Sequence, residues 1–492
     1  MSGLSVAHTS EAKKSEGDSD KKTFIVGFDA AFPPYGYKDD DGNYVGFDLD
    51  LAEEVCKRNG WELKKQPIDW DSKDMELKSG AIDCIWNGFT INGRELKYTW
   101  SKAYVDNSQV VVVKSDSDVE EPKDLKDKVV VVQTDSSALA ALTGEDATDE
   151  NKELCESFKE LQQVSDYNNA FLNLESGSVD AICMDIGVAL YEVKQRGNEF
   201  RILDDSISSE QYGIGFKLGN TELRDEVQKT LDEMLEDKTF EKIAKKWELS
   251  ESVCLGREGT DSAYKLSAKK EKTSAKEVAN VFKELGKGMG ASLLIFFLTL
   301  LFSLPLGLLL VTIRRSRFKP LEVIAKIYIS IMRGTPLMLQ LLVVFFGPYY
   351  LFGLRLSSQY RFFAVIIGFS LNYAAYFAEI FRAGLDSIPA GQKEAAHILG
   401  YTKVQTFWKI MFPQMVKRVI PPVTNEVITL VKDTSLAFAL AYTEMFTIAK
   451  QTAAAQASIM PLFVAGLFYY IFNFIVAAVM ERIEKSIKFQ IM

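Results

Sequence analysis

The chain has 492 residues, which is long enough for more than one domain. It carries 57 Lys and Arg against 67 Asp and Glu, and this negative balance argues against a nucleic-acid partner. Two histidines, five irregularly spaced cysteines and no CxxC pair provide neither a metal ligand set nor a redox dithiol. We therefore expect no metal site.

The composition divides the chain into a polar, acidic part and an apolar part. Residues 1–288 hold all five cysteines, whereas Leu, Ile, Phe, Val and Ala dominate from about 289 onward. A stretch rich in Lys, Glu, Ser and Gly lies between them and is typical of a charged linker ending in a juxtamembrane helix. We predict a polar N-terminal segment at 1–22, a soluble domain at 23–250, this linker at 251–288 and a membrane domain at 289–492.

The soluble part alternates short β-rich runs with helical patterns. A helical pattern covers Gly46–Asn59, and the strand-like runs are Phe24–Phe28, Ile82–Trp86, Gln109–Val113 and Val129–Val132. This alternation predicts an α/β domain with a largely parallel sheet.

Five apolar segments follow, at 291–313 and at about 322–352, 361–381, 420–446 and 460–480. A helix of about 20 apolar residues crosses a bilayer, so we predict an all-α membrane domain with about five spans. Charged residues interrupt the fourth segment at Glu426, Lys432 and Asp433.

Ionisable residues within spans usually face a partner or a pathway. Glu379 and Arg382 are three residues apart, so we expect them to pair with each other. Lys432 and Asp433 are adjacent and cannot share a helix face, which predicts a break there. Further candidates for lining a pathway are Asn372, Asn425 and Glu426.

Basic residues cluster after the first, third and fifth segments, at 314–319, 393–418 and 482–488. The positive-inside rule assigns all three clusters to the cytoplasm, so we expect the N-terminal domain outside the cell and the C-terminus inside. An exported domain needs a signal sequence, yet residues 1–22 have no apolar run. We expect that the signal of the native precursor is missing through truncation, cleavage or a late start codon.

The polar loop after the third segment carries an EAA triplet at 394–396 and, after three further residues, a glycine at 400. An isoleucine at 410 and a proline at 413 follow. Good helix formers predict one short helix at 392–399 and a second at 404–411 that stops before the proline. Two short helices joined at a glycine form a rigid knob on which a partner can dock.

This spacing, in a loop at about 386–413, resembles the cytoplasmic coupling loop of type I ABC importer permeases of the polar amino acid family. Other stretches share the resemblance: Arg333-Gly334-Thr335-Pro336-Leu337, Ala378–Gly384, Ile388–Gln392 and Lys432–Leu436. The resemblance implies a permease whose loop residues contact an ATPase, here Glu394, Ala395, Ala396 and Gly400.

A second set of motifs, Asp29–Tyr37, Gly46–Asp50, Trp86–Arg94, Val179–Asp185 and Gln211–Phe216, resembles the solute-binding proteins of polar amino acid importers. That family has a bilobed, periplasmic-binding-protein-like fold of type II. The resemblance implies a first lobe of about 23–110 plus 206–250 and a second lobe of about 111–205.

The resemblance also implies ligand contacts. Arg94 matches the arginine that holds the ligand carboxylate, and Asp185 matches the carboxylate that holds the ligand ammonium. Phe32 and Trp70 match an aromatic pair that sandwiches the ligand side chain, and Asp29 lies where a polar side-chain end would arrive. Further hydrogen-bonding positions are Gly88, Thr90, Gln133 and Ser137.

The ligand is expected to be a polar amino acid. Asp29 with two aromatic rings suits a cationic side chain, and its carboxylate can equally accept a hydrogen bond from a glutamine amide. Gln133 is neutral, so the pocket offers no obvious extra cation for an acidic side chain. Glutamine or a basic amino acid is favoured, followed by cystine or another polar amino acid.

The chain has no GxxxxGK[ST] phosphate loop, so we expect a transporter subunit that is not itself an enzyme and carries no cofactor. We expect ATP and Mg to bind to a separate ATPase dimer. That dimer would work with two copies of this chain in the lipid membrane. The alternatives are a ligand-gated channel, which would insert its pore within the binding domain, and an amino acid sensor, which would need a cytoplasmic output domain.

Overall fold

The computed structural model describes residues 21–266, 275–316, 318–456 and 458–489, which form a soluble α/β half and a helical membrane half. Most of the predicted N-terminal segment (1–20) and residues 267–274 of the predicted linker lie outside the described residues.

The strands of the soluble half are β1 (Thr23–Phe28), β2 (Ala31–Phe32), β3 (Gly36–Lys38), β4 (Tyr44–Val45), β5 (Glu62–Pro67), β6 (Cys84–Thr90), β7 (Thr99–Trp100), β8 (Val105–Lys114), β9 (Val129–Gln133), β10 (Glu160–Val164), β11 (Ala181–Asp185), β12 (Phe200–Ile202) and β13 (Ser208–Phe216). Its helices are α1 (Phe47–Asn59), α2 (Lys73–Ser79), α3 (Ser137–Thr143), α4 (Asp149–Ser157), α5 (Tyr167–Ser176), α6 (Ile186–Gln195), α7 (Thr221–Glu236) and α8 (Thr239–Lys246), with 3₁₀ turns at Trp70–Ser72, Pro122–Leu125 and Gly197–Glu199.

One sheet runs through the soluble half in the order β10-β9-β11-β8-β13-β6-β1-β5. At one end β1 pairs in parallel with β5 and β6, and at the other end β9 pairs in parallel with β10 and β11. The long strands β8 and β13 pair antiparallel in the middle, and each continues into one of the two ends. These two strands therefore connect two lobes, which confirms the predicted bilobed α/β fold.

The central strands of the second lobe are apolar runs that end in a polar residue. Every position of β9 and β11 is buried, because parallel strands in an α/β lobe are covered on both faces. Gln133 ends β9 and Asp185 ends β11. The fold thus delivers these two side chains to the carboxyl edge of the sheet, where such domains bind ligands.

The helices of the membrane half are α9 (Ala275–Arg314), α10 (Lys319–Gly334), α11 (Leu337–Phe352), α12 (Ser358–Asp386), α13 (Ala390–Ile398), α14 (Lys403–Gln405), α15 (Phe412–Asp433), α16 (Met445–Ala455) and α17 (Met460–Phe489). A π-helical turn, Thr406–Met411, precedes α15, and a 3₁₀ turn, Thr434–Leu440, follows it.

Among the described residues, three helices are long and apolar enough to cross a membrane, at Asn280–Arg314, Gln359–Asp386 and Met460–Ser486. The pair α10 and α11 adds a fourth if it counts as one span, although the two helices are bent by 115°. The fourth predicted segment is divided, because α15 ends at Asp433. Three to four of the about five predicted spans are therefore supported, and the predicted break beside Lys432 is present.

The loop after α12 forms the predicted pair of short helices with one difference. Gly400 follows α13 with φ of 79°, a left-handed conformation that glycine adopts readily. The prediction that the second helix stops before Pro413 is wrong, since the chain stays helical through the π turn into α15. Pro413 lies inside this helical run, and the π turn immediately before it is an irregularity of the kind that accommodates a residue without an N–H.

Gly46, at the start of α1, offers a test of the fold. Its φ is 149°, and an added Cβ would lie 2.1 Å from the Tyr35 carbonyl oxygen, so we expect Gly46→Ala to cost about 3 kcal/mol. Gly60→Ala is the matched control, because Gly60 also has a positive φ but open space around it, and we expect about 1 kcal/mol.

Five of the six tryptophans lie in the soluble half, so urea unfolding followed by tryptophan fluorescence reports its free energy of unfolding. Equal costs for the two substitutions would contradict the tight approach of Gly46 to Tyr35.

Candidate functional site

The predicted ligand residues converge where the two lobes meet. Gly88 and Thr90 lie in β6 and Asp29 follows β1, all in the first lobe, while Gln133, Ser137 and Asp185 come from β9, α3 and β11 of the second lobe. The ends of parallel strands meet at one edge of each sheet, which explains this convergence.

A chain of hydrogen bonds starts at Arg94 and crosses between the lobes. Arg94 Nη1 donates to Ser137 Oγ at 3.3 Å and Nη2 donates to the Asp135 carbonyl oxygen at 3.1 Å. Ser137 Oγ donates to Thr90 Oγ1 at 2.6 Å, and Thr90 Oγ1 donates to Glu210 Oε1 at 2.9 Å. The guanidinium and the Thr90 hydroxyl therefore belong to one hydrogen-bond network.

The network ends at two buried carboxylates. Asp185 Oδ1 and Glu210 Oε1 both accept hydrogen bonds from the amides of Asn107 and Gln109, at 2.7 to 3.0 Å. Asp185 also accepts from the hydroxyls of two buried tyrosines, Tyr167 and Tyr212. Burial, and then the neighbouring Asp185, raise the pKa of Glu210 above its usual range. This concentration of negative charge and acceptors suits a positively charged group.

The two predicted aromatic residues are buried and parallel. The ring centroids of Phe32 and Trp70 lie 6.5 Å apart with an interplanar angle of 10°. A flat group between two rings needs about 3.5 Å on each side, or about 7 Å in total, so the spacing is close to that of a sandwich. A planar side-chain end is therefore the kind of group that the pair would hold.

Asp29 lies in the same region and is 6% exposed. Its Oδ1 accepts from the Ala31 N–H at 2.8 Å, and its Oδ2 accepts from Gln133 Nε2 of the other lobe at 2.7 Å. Burial raises the pKa of Asp29 to about 6, although these two donors favour the charged form.

The lobes are closed on each other. Besides the Arg94–Ser137 and Asp29–Gln133 contacts, Lys73 of the first lobe pairs with Asp135 of the second. Lys73 is 1% exposed, so separating it from Asp135 without admitting water would leave a buried group without its ion-pair partner.

Gly88 has a structural reason to be glycine. Its φ is 56°, and an added Cβ would lie 2.8 Å from the Phe32 ring and 2.9 Å from the Tyr212 ring. Its N–H donates to the buried Asp48 at 2.6 Å. A side chain here would displace one of the aromatic walls.

Sequence reasoning missed Glu210, Asn107, Gln109, Lys73 and Asp135. One feature of the sequence could have identified Glu210: it is an acidic residue in a strand-like run and directly precedes the Gln211–Phe216 motif. Asn107 and Gln109 are polar residues beside the valine run of β8, and such positions can equally face solvent. Lys73 and Asp135 carry no local signal, because their pairing exists only when the lobes meet.

The membrane half contains a polar cavity of about 220 Å³. Its lining includes Asn372 and Glu426, two of the sequence candidates, together with Thr335, Pro336, Leu337, Tyr373, Tyr376, Thr429 and Asp433. The third candidate, Asn425, is exposed on α15 instead. Two carboxylates thus lie in a cavity whose other polar groups are neutral.

The cavity adjoins the break between α10 and α11. The side chains of Gln340 and Asn372 stabilise this break: Gln340 Nε2 donates to the carbonyl oxygens of Met332 and Thr335, and Asn372 Nδ2 donates to that of Met332. Irregular backbone at membrane depth requires such replacement partners. A second cavity, lined by Arg314, Lys326, Ile329, Ser330, Arg333, Gly334 and Glu379, lies on the other side of the break.

The predicted ion pair at the end of α12 is confirmed. Arg382 Nε donates to Glu379 Oε2 at 2.9 Å, and Arg314 of α9 also binds Glu379. These side chains tie α9 to α12 rather than leaving Glu379 unpaired.

The EAA segment presents an exposed surface. Glu394, Ala395 and Gly400 are exposed, whereas Ala396 is only 3% exposed and packs within the loop. Large apolar side chains nearby are exposed as well, namely Ile398, Leu399, Val404 and Trp408. Exposed apolar groups of this kind mark surfaces for a partner.

Two family models match the chain, each over one half. Residues 24–250 match bacterial extracellular solute-binding proteins, family 3, and residues 303–489 match the binding-protein-dependent transport system inner membrane component. A bilobed ligand-binding domain joined to such a component defines a membrane transport subunit with its own binding domain.

Relatives are known for the membrane half. The arginine transport system permease protein ArtQ of Bacillus subtilis (strain 168) is 36% identical over 203 residues, covering 41% of this chain and 91% of that protein. The L-cystine transport system permease protein TcyB of the same organism is 34% identical over 205 residues, covering 41% and 86%. This chain belongs to the amino acid ABC importer permease family, with a fused solute-binding domain.

A solved structure resembles the soluble half. An ancestral arginine-binding protein bound to glutamine is 36% identical and covers 47% of this chain and 100% of that chain, with a TM-score of 0.43.

Proposed function

We propose that this protein imports a cationic amino acid, with arginine as the first candidate, using ATP hydrolysed by a separate subunit. The observation that carries the proposal is a buried carboxylate, Asp29, which lies three residues before Phe32 and is hydrogen-bonded across the cleft to Gln133, together with the parallel rings of Phe32 and Trp70. A guanidinium is planar, can stack on both rings and can bind a carboxylate at its edge.

The rest of the cleft supports an α-amino acid. Arg94 offers a planar fork to a carboxylate, while Asp185 and Glu210 offer negative charge to an ammonium group. The hydrogen-bond chain through Thr90 and Ser137 joins these two ends. We assign Arg94 to the carboxylate, Asp185 and Glu210 to the ammonium, and Asp29 to the side chain.

Glutamine is the second candidate, because Asp29 already accepts an amide N–H from Gln133. A neutral amide would, however, leave the Asp29 charge unneutralised in a buried site. Cystine has no planar end for the aromatic pair. One relative at 36% identity is an arginine transport permease and another at 34% is an L-cystine transport permease, so the relatives do not point to one substrate.

The membrane cavity supports the same class of substrate. Glu426 and Asp433 line it, and an intramembrane carboxylate favours a passing cation. We place the translocation path through this cavity and the break between α10 and α11, with the binding domain outside the cell.

The EAA segment would receive the ATPase in the cytoplasm. Exposed Glu394 and Ala395 and the apolar side chains around Gly400 form the proposed contact. Two copies of this chain would present two such loops to an ATPase dimer, which binds ATP and Mg. ATP binding would then move the helices between outward-facing and inward-facing states.

Reconstitution of the chain with its ATPase subunit in proteoliposomes tests the proposal. We expect ATP-dependent arginine uptake and arginine-stimulated ATP hydrolysis. Uptake without ATP, or stimulated hydrolysis without uptake of any amino acid, would contradict it.

Replacing Arg94 removes the only proposed partner of the ligand carboxylate. We expect Arg94→Ala to raise the arginine Kd at least about 100-fold, since losing one partner of a buried charge pair costs several kcal/mol. Lys97→Ala, an exposed charge in the same loop, is the control and should leave the Kd unchanged. Calorimetry on the full chain measures both, and an unchanged Kd for Arg94→Ala would refute the assignment.

The pH dependence of binding separates arginine from glutamine. Burial raises the pKa of Asp29 to about 6, and a cationic ligand binds only its ionised form. As pH falls below about 6, binding must displace a proton, so the arginine Kd should rise about tenfold per pH unit.

Protonation of Glu210 affects the binding of both ligands, because arginine and glutamine share the ammonium group to which Glu210 is assigned. The glutamine Kd is therefore the internal reference. Asp29→Asn should remove the difference in pH dependence between the two ligands. Parallel pH profiles for arginine and glutamine in the unmodified protein would argue against an ion pair with Asp29.

Ala395 tests the coupling surface without disturbing a core, because its side chain is exposed. Ala395→Arg places a large charge on the proposed contact, so we expect loss of ATPase co-purification with an unchanged arginine Kd. Arg482→Gln, an exposed change on α17, should retain the ATPase. Retention of the ATPase by Ala395→Arg would place the coupling surface elsewhere.

A further inference from the structure

The second lobe of the binding domain is anchored to the membrane half by a buried cation. Arg361, at the start of α12, is 3% exposed. Its Nη2 donates to Asn173 Oδ1 at 2.8 Å and its Nη1 donates to Gln162 Oε1, both in the second lobe. A buried charge is costly to separate from the acceptors that its two Nη atoms bind, so this contact should be long-lived.

Further contacts surround this anchor. The Leu356 N–H donates to the Ser176 carbonyl oxygen at 2.9 Å, the Tyr350 hydroxyl donates to Glu175 at 3.2 Å, and Arg355 lies 3.5 Å from Asp116. These contacts join the end of α11 and the segment between α11 and α12 to the second lobe.

The first lobe meets the membrane half differently. Lys450 of α16 pairs with Asp71 at 3.0 Å, and both side chains keep contact with solvent, at 27% and 12% exposure. A partly exposed ion pair is weak and screened by salt, so it can form and break readily.

Asp71 lies in the turn that also contacts the ligand site and the other lobe. Trp70, immediately before it, forms the aromatic pair with Phe32. Lys73, two residues after it, pairs across the cleft with Asp135. One short turn, residues 70–73, therefore touches the proposed ligand position, the second lobe and the membrane half.

We propose that Lys450 recognises lobe closure through Asp71, so that the membrane half distinguishes the closed binding domain of its own chain from the open one. This inference rests on the proposed import function. Because Arg361 holds the second lobe, opening the cleft moves the first lobe relative to α16. Opening then separates Lys73 from Asp135 and Asp71 from Lys450 at the same time.

The two permease cations are also connected to each other. Arg361 Nη1 lies 3.5 Å from the carbonyl oxygen of Ala441, which precedes α16 and packs against the core of the soluble half. Arg361 and Lys450 thus belong to one packed unit, and their spacing matches the two lobes as they stand in the closed arrangement. When the cleft closes, the first lobe therefore forms a second contact, Asp71 with Lys450, on the membrane half that already holds the second lobe through Arg361.

A functional experiment uses the full chain reconstituted with its ATPase subunit. Asp71→Asn and Lys450→Gln should each lower arginine-stimulated ATP hydrolysis about 2- to 5-fold, the size of a partly exposed ion pair. The single charge reversals Asp71→Lys and Lys450→Asp should lower it further, and the double reversal should restore it. The arginine Kd of the full chain should rise by no more than the factor set by loss of this one pair, because the pair forms only in the closed state that ligand also favours, and the double reversal should restore it.

Asp116→Asn is the matched control, since Asp116 belongs to an exposed ion pair on the anchored lobe and should leave stimulation unchanged. Unchanged stimulation in the single reversals, or failure of the double reversal to restore it, would overturn the proposal.

A structural experiment decides the proposal independently of transport. Asp71→Cys with Lys450→Cys, in a Cys155→Ser background, would be cross-linked by a bismaleimide in the full chain, with L-arginine or L-glutamine as the probe. The yield should rise severalfold with a ligand. The control pair Glu175→Cys with Tyr350→Cys, at the anchor, should cross-link equally with and without it.

Equal yields for the Asp71–Lys450 pair with and without either probe would overturn closure recognition. Absence of arginine-stimulated hydrolysis in the unmodified complex, with ligand-dependent cross-linking retained, would instead refute the arginine-coupled import function alone.

Discussion

Two buried carboxylates, Asp185 and Glu210, share the amides of Asn107 and Gln109 at the junction of the lobes. Amides satisfy the carboxylate oxygens but cannot neutralise two like charges in a site of low dielectric constant. A cation at this place lowers the free energy of the whole arrangement. Because Asn107, Gln109 and Glu210 lie on the crossing strands β8 and β13, a ligand bound at the proposed site would act on the elements that connect the two lobes.

The same closed state links the binding domain to the membrane half. Arg361 is enclosed by acceptors of the second lobe, whereas Lys450 meets the first lobe in a partly exposed ion pair. One contact is buried and the other is partly exposed to solvent, and this difference is the basis of the proposal that Lys450 recognises lobe closure. Within the membrane half, Gln340 and Asn372 satisfy the backbone at the break between α10 and α11, so a polar cavity can exist beside it.

Much of the fold and part of the site could be predicted from short motifs. The motif residues Asp29, Thr90, Arg94 and Asp185 do meet in one cleft, because each lies in or just beyond a strand that ends at the sheet edge. Lys73 and Asp135 could not be predicted, since each has meaning only through a partner on the other lobe. The extent of the helix around Pro413 was mispredicted, because a proline usually signals a helix boundary, whereas here the helix continues past it through a π turn.

The sequence by itself determined the two-part architecture, the α/β class of the soluble half, the apolar helices and the motif residues. These depend on local composition and periodicity, which the chain expresses residue by residue. Only the tertiary structure decided that Glu210 joins Asp185, that Phe32 and Trp70 lie parallel, and that Asp71 faces Lys450. Those relations join residues far apart in the chain, and they arise from how the lobes pack on each other and on the membrane helices.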